Sequence, residues 1–482
     1  MRNAMAFHVS LIGRKNLSRE ICRQIAAAIS DGRLKPGDRL SPTRELARAL
    51  AVSRMTVTVA YEQLAGEGFV RSQQGAGTFV TEAAARPSGR TAKRRSGGVV
   101  QPRAIWDSLL EPVVLAPSLR YDFRTGLPDV SLFPHRAWHR AVSRALGSSE
   151  TTMGIYEDAA GHRALRVAIA RQIGFSRGVE AAADDIIITN GTQQALDLLS
   201  RVLLAPGDTI AVEDPSYGPP RLLFNSLGLR VEAVPVDQHG LVVEALPKNA
   251  RAVYVTPSHQ YPLSVTMTLP RRRALLAWAE RNNAAVIEDD YDSEFRFDGR
   301  PCESLHALDP DGRVIYVGSF SKTLLPTLRV GFLVAPKSLF PALRKAKFVT
   351  DWHSSTLTQA AIARFMENGD FARHIRRMTR VYRERRSLLS EIIARDFGDH
   401  LELVPSTVGL HLTALARTMT TDEFAGVNRR AAERGVGIHV FMRRTAGASK
   451  RAVVTLGYGA VRTERIEEGL RLLRSCFERK AR

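Results

Sequence analysis

Cysteine is scarce: the 482-residue chain has three, Cys22, Cys302 and Cys476, far apart. That spacing excludes a dense disulfide framework and a clustered thiolate site, and it suits a reducing compartment, the cytoplasm. Long apolar runs are missing as well. No stretch reaches the ~18 residues that a membrane-spanning helix requires, so no membrane partner is expected. The opening MRNAMAFHVSLIGRKNLS has no long apolar core of the secretory-signal kind. No internal repeat runs along the chain, and no histidine–carboxylate grouping is apparent, so a catalytic metal is not expected. Acidic residues are the minority charge, 49 against 69 basic, for a net charge of +20.

The excess is uneven. Residues 1–104 hold 18 Lys or Arg and 7 Asp or Glu, a balance of +11, which leaves +9 for the other 378. A basic amino-terminal segment points to a polyanion, double-stranded DNA above all. The length implies two or three domains. Residues 1–81 are compactly patterned. Residues 82–117, with AAARPSGRTAKRRSGG, are short of large apolar groups and rich in breakers, and read as a basic flexible linker. Its arginines and Lys93 either track phosphates or stay solvated. Residues 118–482 alternate helical and strand patterns, which predicts an α/β domain with a smaller carboxy-terminal subdomain.

In the first segment, Leu17, Ile21, Ile25 and Ile29 fall four apart, which predicts a helix over 16–32 ending at Gly32. Ser41 is the expected cap of a second helix with Pro42 at its first position. Ser53 is the expected cap of a third, SRMTVTVAYEQLAGEG, which packs through Val57, Ala60, Tyr61 and Leu64. Two short helices and a tight turn make a helix-turn-helix, whose second helix enters the major groove. FVRSQQGAGTFV then reads as a hairpin wing. The candidate DNA contacts are Arg44, Ser53, Arg54, Thr56 and Thr58, with Arg71 and Gln73 on the wing; capping or plain surface charge is the alternative. The stretch RLSPTRELARALAVSRMTVTVAYEQLAGEGFVRSQQGAGTFV, residues 39–80, resembles the winged helix-turn-helix of the GntR family. That resemblance implies a dimer on an operator with pseudo-palindromic or repeated half-sites.

Four stretches of the larger segment agree on one ligand. In VGSFSKTLLPTLRVGF, residues 317–332, Lys322 lies between two expected strands, with Ser319, Ser321 and Arg329 about it. An amine beside phosphate-binding groups suits a phosphorylated aldehyde, pyridoxal 5'-phosphate, held as an imine. In IIITNGTQQALDLLSRVLL a strand turns into a helix at Gly191, Thr192 and Gln193, a helix start that favours a phosphate. EDPSYG brings Tyr217, a candidate to lie over a flat ring. AAVIEDDYDSEF ends a strand in Asp289 and Asp290, followed by Tyr291. A carboxylate facing a pyridine nitrogen keeps it protonated, and the protonated ring is an electron sink. Paired aspartates also suit Mg²⁺.

This set resembles the fold-type I, class I aminotransferase group, and the two halves together resemble the MocR/GabR subfamily of GntR regulators. The resemblance implies a winged helix-turn-helix joined to an aminotransferase-like domain. It gives Lys322 the imine role, Asp289 the pyridine nitrogen, Tyr291 the ring hydroxyl and Tyr217 a place beside the ring. Gly191, Thr192, Gln193, Ser319 and Arg329 would cradle the phosphate. TPSHQYPLSVTM brings His259 or Gln260 near the cofactor and places Ser264 where the family usually has glycine. In AVVTLGYGAV, Thr455 stands where related aminotransferases carry the arginine that grips a substrate carboxylate. Either Arg443, Arg444 or Arg451 substitutes, or the effector lacks that carboxylate. Tyr156 reaches a partner's site or belongs to the core, and the subfamily's head-to-tail homodimer is implied. The leading function is a transcriptional regulator that senses a small amine, an amino acid or the cofactor itself. The competing readings are an active aminotransferase with an added DNA-binding domain and a cofactor-free DNA-binding scaffold.

Overall fold

The computed structural model describes residues 9, 11, 16–73, 75–82, 101–109, 119–147, 155–299, 303–441 and 451–477. They fall into two compact units, residues 1–103 and 104–482. Most of the segment read as a linker lies outside the described residues; Arg103 and the short 3-10 turn Ala104–Ser108 lie within them.

In the first unit, α1 (Leu17–Ser30) buries Ile21, Ile25 and Ile29 with Cys22 and Ala28. Each such side chain contributes about 2 kcal/mol relative to exposure. Helix α2 (Thr43–Ala49) turns tightly into α3 (Arg54–Gly66), which buries Val57, Ala60, Tyr61 and Leu64 as its spacing predicts. Ser53 caps α3, its hydroxyl accepting from the Thr56 N–H at 3.1 Å. Ser41 is not the cap of α2: Pro42 occupies that position, and the Ser41 carbonyl instead accepts from the Tyr61 hydroxyl at 2.9 Å. Strands β1 (Val70–Gln73) and β2 (Gly77–Val80) form the antiparallel wing.

The second unit is built on an eight-stranded sheet. In chain order the second unit's strands are β3 (Tyr121–Asp122), β4 (Ile186–Thr189), β5 (Thr209–Asp214), β6 (Arg230–Asp237), β7 (Gly240–Leu241), β8 (Ala250–Val255), β9 (Ala285–Asp290), β10 (Val314–Ser319) and β11 (Gly331–Val334), then β12 (Leu401–Leu403), β13 (His411–Thr420), β14 (Val436–Gly437), β15 (His439–Phe441) and β16 (Arg451–Gly457). The large sheet runs β4-β11-β10-β9-β8-β5-β6-β7. From β10 through β9, β8 and β5 to β6 the pairing is parallel; β11 lies antiparallel to both β10 and β4. The central strands are apolar on both faces because helices cover both. One of these, Thr192–Leu203, buries Ala195, Leu196, Leu198 and Leu199. The smaller antiparallel sheet β12-β13-β16-β15 has its own apolar core with the long helix Asp370–Asp396. Among the described residues, no helix is long and apolar enough to cross a membrane.

Ser264 sits in the left-handed region at φ 61°, where glycine is at ease and other residues are strained. Its hydroxyl pairs with Thr413 Oγ1 at 2.8 Å, and its N–H donates to the Gln260 carbonyl at 2.7 Å. We expect Ser264→Gly to change stability by less than about 1 kcal/mol, since relief of strain offsets the lost bond, and Ser264→Ala to cost about 1–2 kcal/mol. Urea unfolding midpoints of the two variants check the order.

Candidate functional site

In the first unit, Arg44, Arg54, Arg71 and Gln73 are exposed. Arg54 opens α3, and its Nε lies 3.4 Å from Thr43 Oγ1 on α2, so the guanidinium sits where the two helices meet. Ser53 and Thr56 bond to each other, Oγ to Oγ1 at 2.8 Å, and the Thr58 hydroxyl donates back to the Arg54 carbonyl at 3.0 Å. Those three hydroxyls are engaged in the helix start, whereas the two helix arginines extend from it.

In the second unit the ends of β4, β9 and β10 converge on a cavity of about 380 Å³, the place where open α/β sheets hold ligands. Thr192, Gln193, Ser319, Ser321 and Arg329 line one part of it. Gly191, at φ 77°, stands just before the helix that starts at Thr192; a side chain there would run into the Arg329 guanidinium at 2.6 Å. That guanidinium donates to the Asn190 carbonyl at 3.0 Å. Gly331 packs against the Gly191 backbone at 3.0 Å from its Cβ direction, which brings β11 and the turn together. Free helix-start N–H groups beside a guanidinium make a cradle for an anion.

Lys322 Nζ donates to the Gly126 carbonyl at 2.8 Å. Burial lowers its pKa, opposed by the charges of Asp292 and Asp289. Gly126 has φ 83°, and a Cβ there would come within 3.0 Å of Nζ. Asp289 Oδ2 accepts from the Tyr254 hydroxyl at 2.7 Å, and its Oδ1 is buried without a partner among the described residues. Burial pushes Asp289 up to about 7, with the charges of Asp290 and Asp292 adding and Tyr254 and Lys322 opposing. Asp290 does not line the cavity with its neighbour. It accepts from Tyr316 at 2.7 Å, pairs with Arg177 at 2.8 Å and also takes the Ser293 hydroxyl. Successive residues of a strand point to opposite faces, so the two aspartates do not form a joint Mg²⁺ site.

Tyr291 lines the cavity with its oxygen 3.0 Å from His259 Nδ1. His259 Nδ1 also faces Asp292 at 3.0 Å; a carboxylate only accepts, so this nitrogen carries the proton and the Tyr291 hydroxyl keeps its own to donate. Tyr217 stays partly exposed, edge-on to Tyr261 with 5.8 Å between centroids. His259 and Gln260 stand behind the lining: Gln260 donates to the Pro215 carbonyl at 2.8 Å and to buried Glu213 at 3.3 Å. Glu213 is itself pushed up to about 7 by burial. The fold also makes a grouping that the sequence hides, for His259, Asp292 and His411 each bring one ligand atom within 4.8 Å of the others. Its carboxylate is spent on His259 and on the Leu410 N–H at 3.1 Å.

Reading along the chain missed Tyr254, Tyr261, Thr125, Gly126 and His439, which also line the cavity. Tyr254 carried a signal, being on β8, which pairs with β9, the strand that carries Asp289 one residue from its end. Thr125 and His439 are 314 positions apart and carried none.

Residues 126–468 match the family of class I and II aminotransferases, and residues 17–80 match the family of bacterial regulatory proteins of the gntR type. The probable rhizopine catabolism regulatory protein MocR of Rhizobium meliloti is 36% identical over 465 residues, 96% of this chain and 94% of that one. The chain belongs to the MocR group of GntR regulators. Another relative, the pyridoxine biosynthesis transcriptional regulator PdxR of Corynebacterium glutamicum, is 35% identical over 398 residues, 82% of each chain. Among solved structures, the α-aminoadipate aminotransferase LysN of Thermus thermophilus, complexed with N-(5'-phosphopyridoxyl)-L-leucine, superposes with a TM-score of 0.66 at 29% identity over 80% of this chain and 95% of that one.

In this MocR-type chain Thr455 is fully buried on β16, cross-strand from Thr413 and His439, and its hydroxyl has no partner. Arg451 is engaged elsewhere, with the Ala416 carbonyl at 2.6 Å and Glu402 at 2.8 Å. Arg443 and Arg444 lie outside the described residues. Tyr156 is not in the cavity lining; it is 72% exposed and lies on Trp352 with centroids 4.2 Å apart.

Proposed function

We propose that this regulator binds pyridoxal phosphate in the cavity around Lys322, and that an amine effector arriving there alters operator binding. The observation that carries this reading is the pairing of two features in one chain: a winged helix-turn-helix, and a cavity that brings a partly buried amine, a carboxyl oxygen without a partner and an anion cradle together. The fit is chemical. Asp289 Oδ1, without a partner among the described residues, suits the donor that a pyridine N–H would supply, and the helix start at Gly191 beside the Arg329 guanidinium suits a phosphate by its charge.

When bound, the cofactor supplies an aldehyde that bonds amines reversibly and a ring that withdraws electrons. In our assignment, Lys322 is the resident amine, and its lowered pKa keeps more of it neutral and nucleophilic. Asp289, steadied by Tyr254, would hold the ring proton, Tyr291 would donate to the ring hydroxyl, and Tyr217 would neighbour the ring. Thr192, Gln193, Ser319, Ser321 and Arg329 orient the phosphate, while His259 and Gln260 position Tyr291 and the loop behind it. Effector-dependent control requires that the amine favour one arrangement of the protein over another. Residues 1–81 read DNA, 82–117 are the linker, and 118–482 form the effector domain. We further propose a cytoplasmic, head-to-tail homodimer, supported by the exposed Tyr156–Trp352 pair, which a second copy would cover. Sedimentation at several concentrations tests the dimer.

The test of function is an absorbance titration of the holo-protein with small amines, with operator binding read in parallel. A spectral change that moves operator affinity without turnover supports the regulator. Sustained multiple turnover with a keto-acid acceptor supports the aminotransferase instead, and no cofactor band after reconstitution supports the bare scaffold. In the DNA reader, Arg54→Ala is expected to weaken operator binding about ten- to a hundred-fold if it bridges to a base edge and to leave the cofactor spectrum intact. Loss of one phosphate contact would instead lower the salt slope by ~1. Fluorescence anisotropy at several salt concentrations distinguishes the two.

A further inference from the structure

We infer that the effector is a primary amine whose other polar groups are hydroxyls, and not an α-amino acid. This deepens the regulator reading above and rests on it. Among the described lining residues the only guanidinium is Arg329, which is turned onto Asn190 and the Gly191 turn. Lys322 is the amine that an effector would displace.

Lys322 shares its cavity with the carboxyls of Asp289 and Asp292, and with a neutral polar group on the side of its anchor. Its anchor, Gly126, follows Thr125, whose hydroxyl lies 2.7 Å from the Tyr261 hydroxyl and 2.9 Å from His439 Nδ1. The Thr125 backbone N–H, which can only donate, faces the same Nδ1 at 3.4 Å. Nδ1 is therefore the acceptor, and the imidazole proton is on Nε2, a donor without a protein partner among the described residues. Thr125 then gives its hydroxyl proton to His439 and receives that of Tyr261, leaving the Tyr261 oxygen as an acceptor. His439 stays neutral, since burial and the charge of Arg124 lower its pKa.

His439 and Tyr261 both line the cavity, and a donor together with an acceptor is what a hydroxyl satisfies, because it both gives and takes a hydrogen bond. A carboxylate only accepts: it would meet the Tyr261 lone pairs and the Asp289 and Asp292 carboxyls, and among the described lining residues it would find no cation besides Lys322 and the engaged Arg329. The position where an arginine would grip it holds buried Thr455 between Thr413 and His439.

The test uses three amines on one carbon skeleton, titrated into the full-length holo-protein by absorbance: serinol (2-amino-1,3-propanediol), serine in both hands, and isopropylamine. Serinol is expected to bind at least ~10-fold tighter than either serine and than isopropylamine, the scale set by an unpaired buried group. Thr125→Val is expected to lower the ratio of serinol to isopropylamine affinity to about 1, whatever it does to either affinity alone. The double variant Arg443→Ala, Arg444→Ala is expected to leave the serinol-to-serine ratio as it is. Serine binding as tightly as serinol, above all if the double arginine variant abolishes it, overturns the inference, as does isopropylamine binding as tightly as serinol; both leave the regulator reading standing. No response to any amine overturns the two together.

Discussion

Lys322→Ala is expected to remove covalent cofactor capture entirely. Borohydride treatment of the wild-type holo-protein should fix a pyridoxyl group to the peptide that carries residue 322, and the variant should yield none. Amine-dependent change in operator affinity should disappear with it, while affinity without effector stays at the wild-type level, because the winged unit packs on its own apolar core. The physical reason is the lysine's setting. Nζ is anchored on the Gly126 carbonyl, at a place where any side chain on that residue would crowd it, and is held near two carboxyls in a largely buried setting. Burial disfavours the ammonium and so raises the fraction of free amine at neutral pH. Lys322→Arg separates charge from chemistry: it keeps a cation near Asp289 and Asp292 but offers no nucleophilic amine. If the arginine variant still responded to amines, electrostatics alone would explain the site and our assignment of Lys322 would fall.

Much of this arrangement is legible along the chain, and what is not legible has a common cause. The turn at Gly191, the strand ends at Asp289 and Ser319 and the cap at Ser53 are local features. Each is written in a few consecutive residues whose backbone preferences agree with the fold. The helix faces Ile21–Ile25–Ile29 and Val57–Ala60–Tyr61–Leu64 are equally local and reappear in the core. Ser41 failed as a cap because a tertiary bond from Tyr61 claims its carbonyl, and the helix begins at Thr43. Asp290 looked equivalent to Asp289, yet the strand's alternation sends it to Arg177 and Tyr316 on the other side. His259, Asp292 and His411, like Thr125, Tyr261 and His439, come from distant segments that only the packing of β13, β15 and β16 against the large sheet's loops assembles. Sequence spacing holds no trace of such groupings.

Asp289→Asn is expected to change stability and cofactor binding in opposite directions, with a pH dependence that identifies the cause. Without cofactor, Asp289 is raised to about 7 from an ordinary value of 3.8, chiefly by burial. A carboxyl whose folded pKa is raised stabilises the fold fully below its unfolded value, and that contribution is lost as pH rises through the folded value. The cofactor-free wild type should therefore lose stability between about pH 4 and pH 7, the interval in which the unfolded chain releases a proton that buried Asp289 keeps. Asparagine has the same shape and no charge to bury. Near pH 4 the two proteins should unfold alike; above pH 7 the variant should be the more stable by about 4 kcal/mol, to order of magnitude, the conversion of a shift from 3.8 to about 7. Tryptophan fluorescence follows this unit alone, because all four tryptophans, Trp106, Trp138, Trp278 and Trp352, lie in it. Glu288, also raised to about 7, contributes a slope common to both proteins that cancels in the difference, whereas Glu213, raised partly by the charge of Asp289, adds to the wild type's loss. With pyridoxal phosphate added the order should reverse. Asparagine cannot hold a ring cation, so the wild type should gain the larger rise in melting temperature and bind the cofactor about 100-fold more tightly, the scale of a charge-assisted bond in a dry site. A stability difference that does not vary with pH would mean that Asp289 is already ionised in the empty cavity. Equal cofactor affinity would mean that the ring nitrogen does not face this carboxyl.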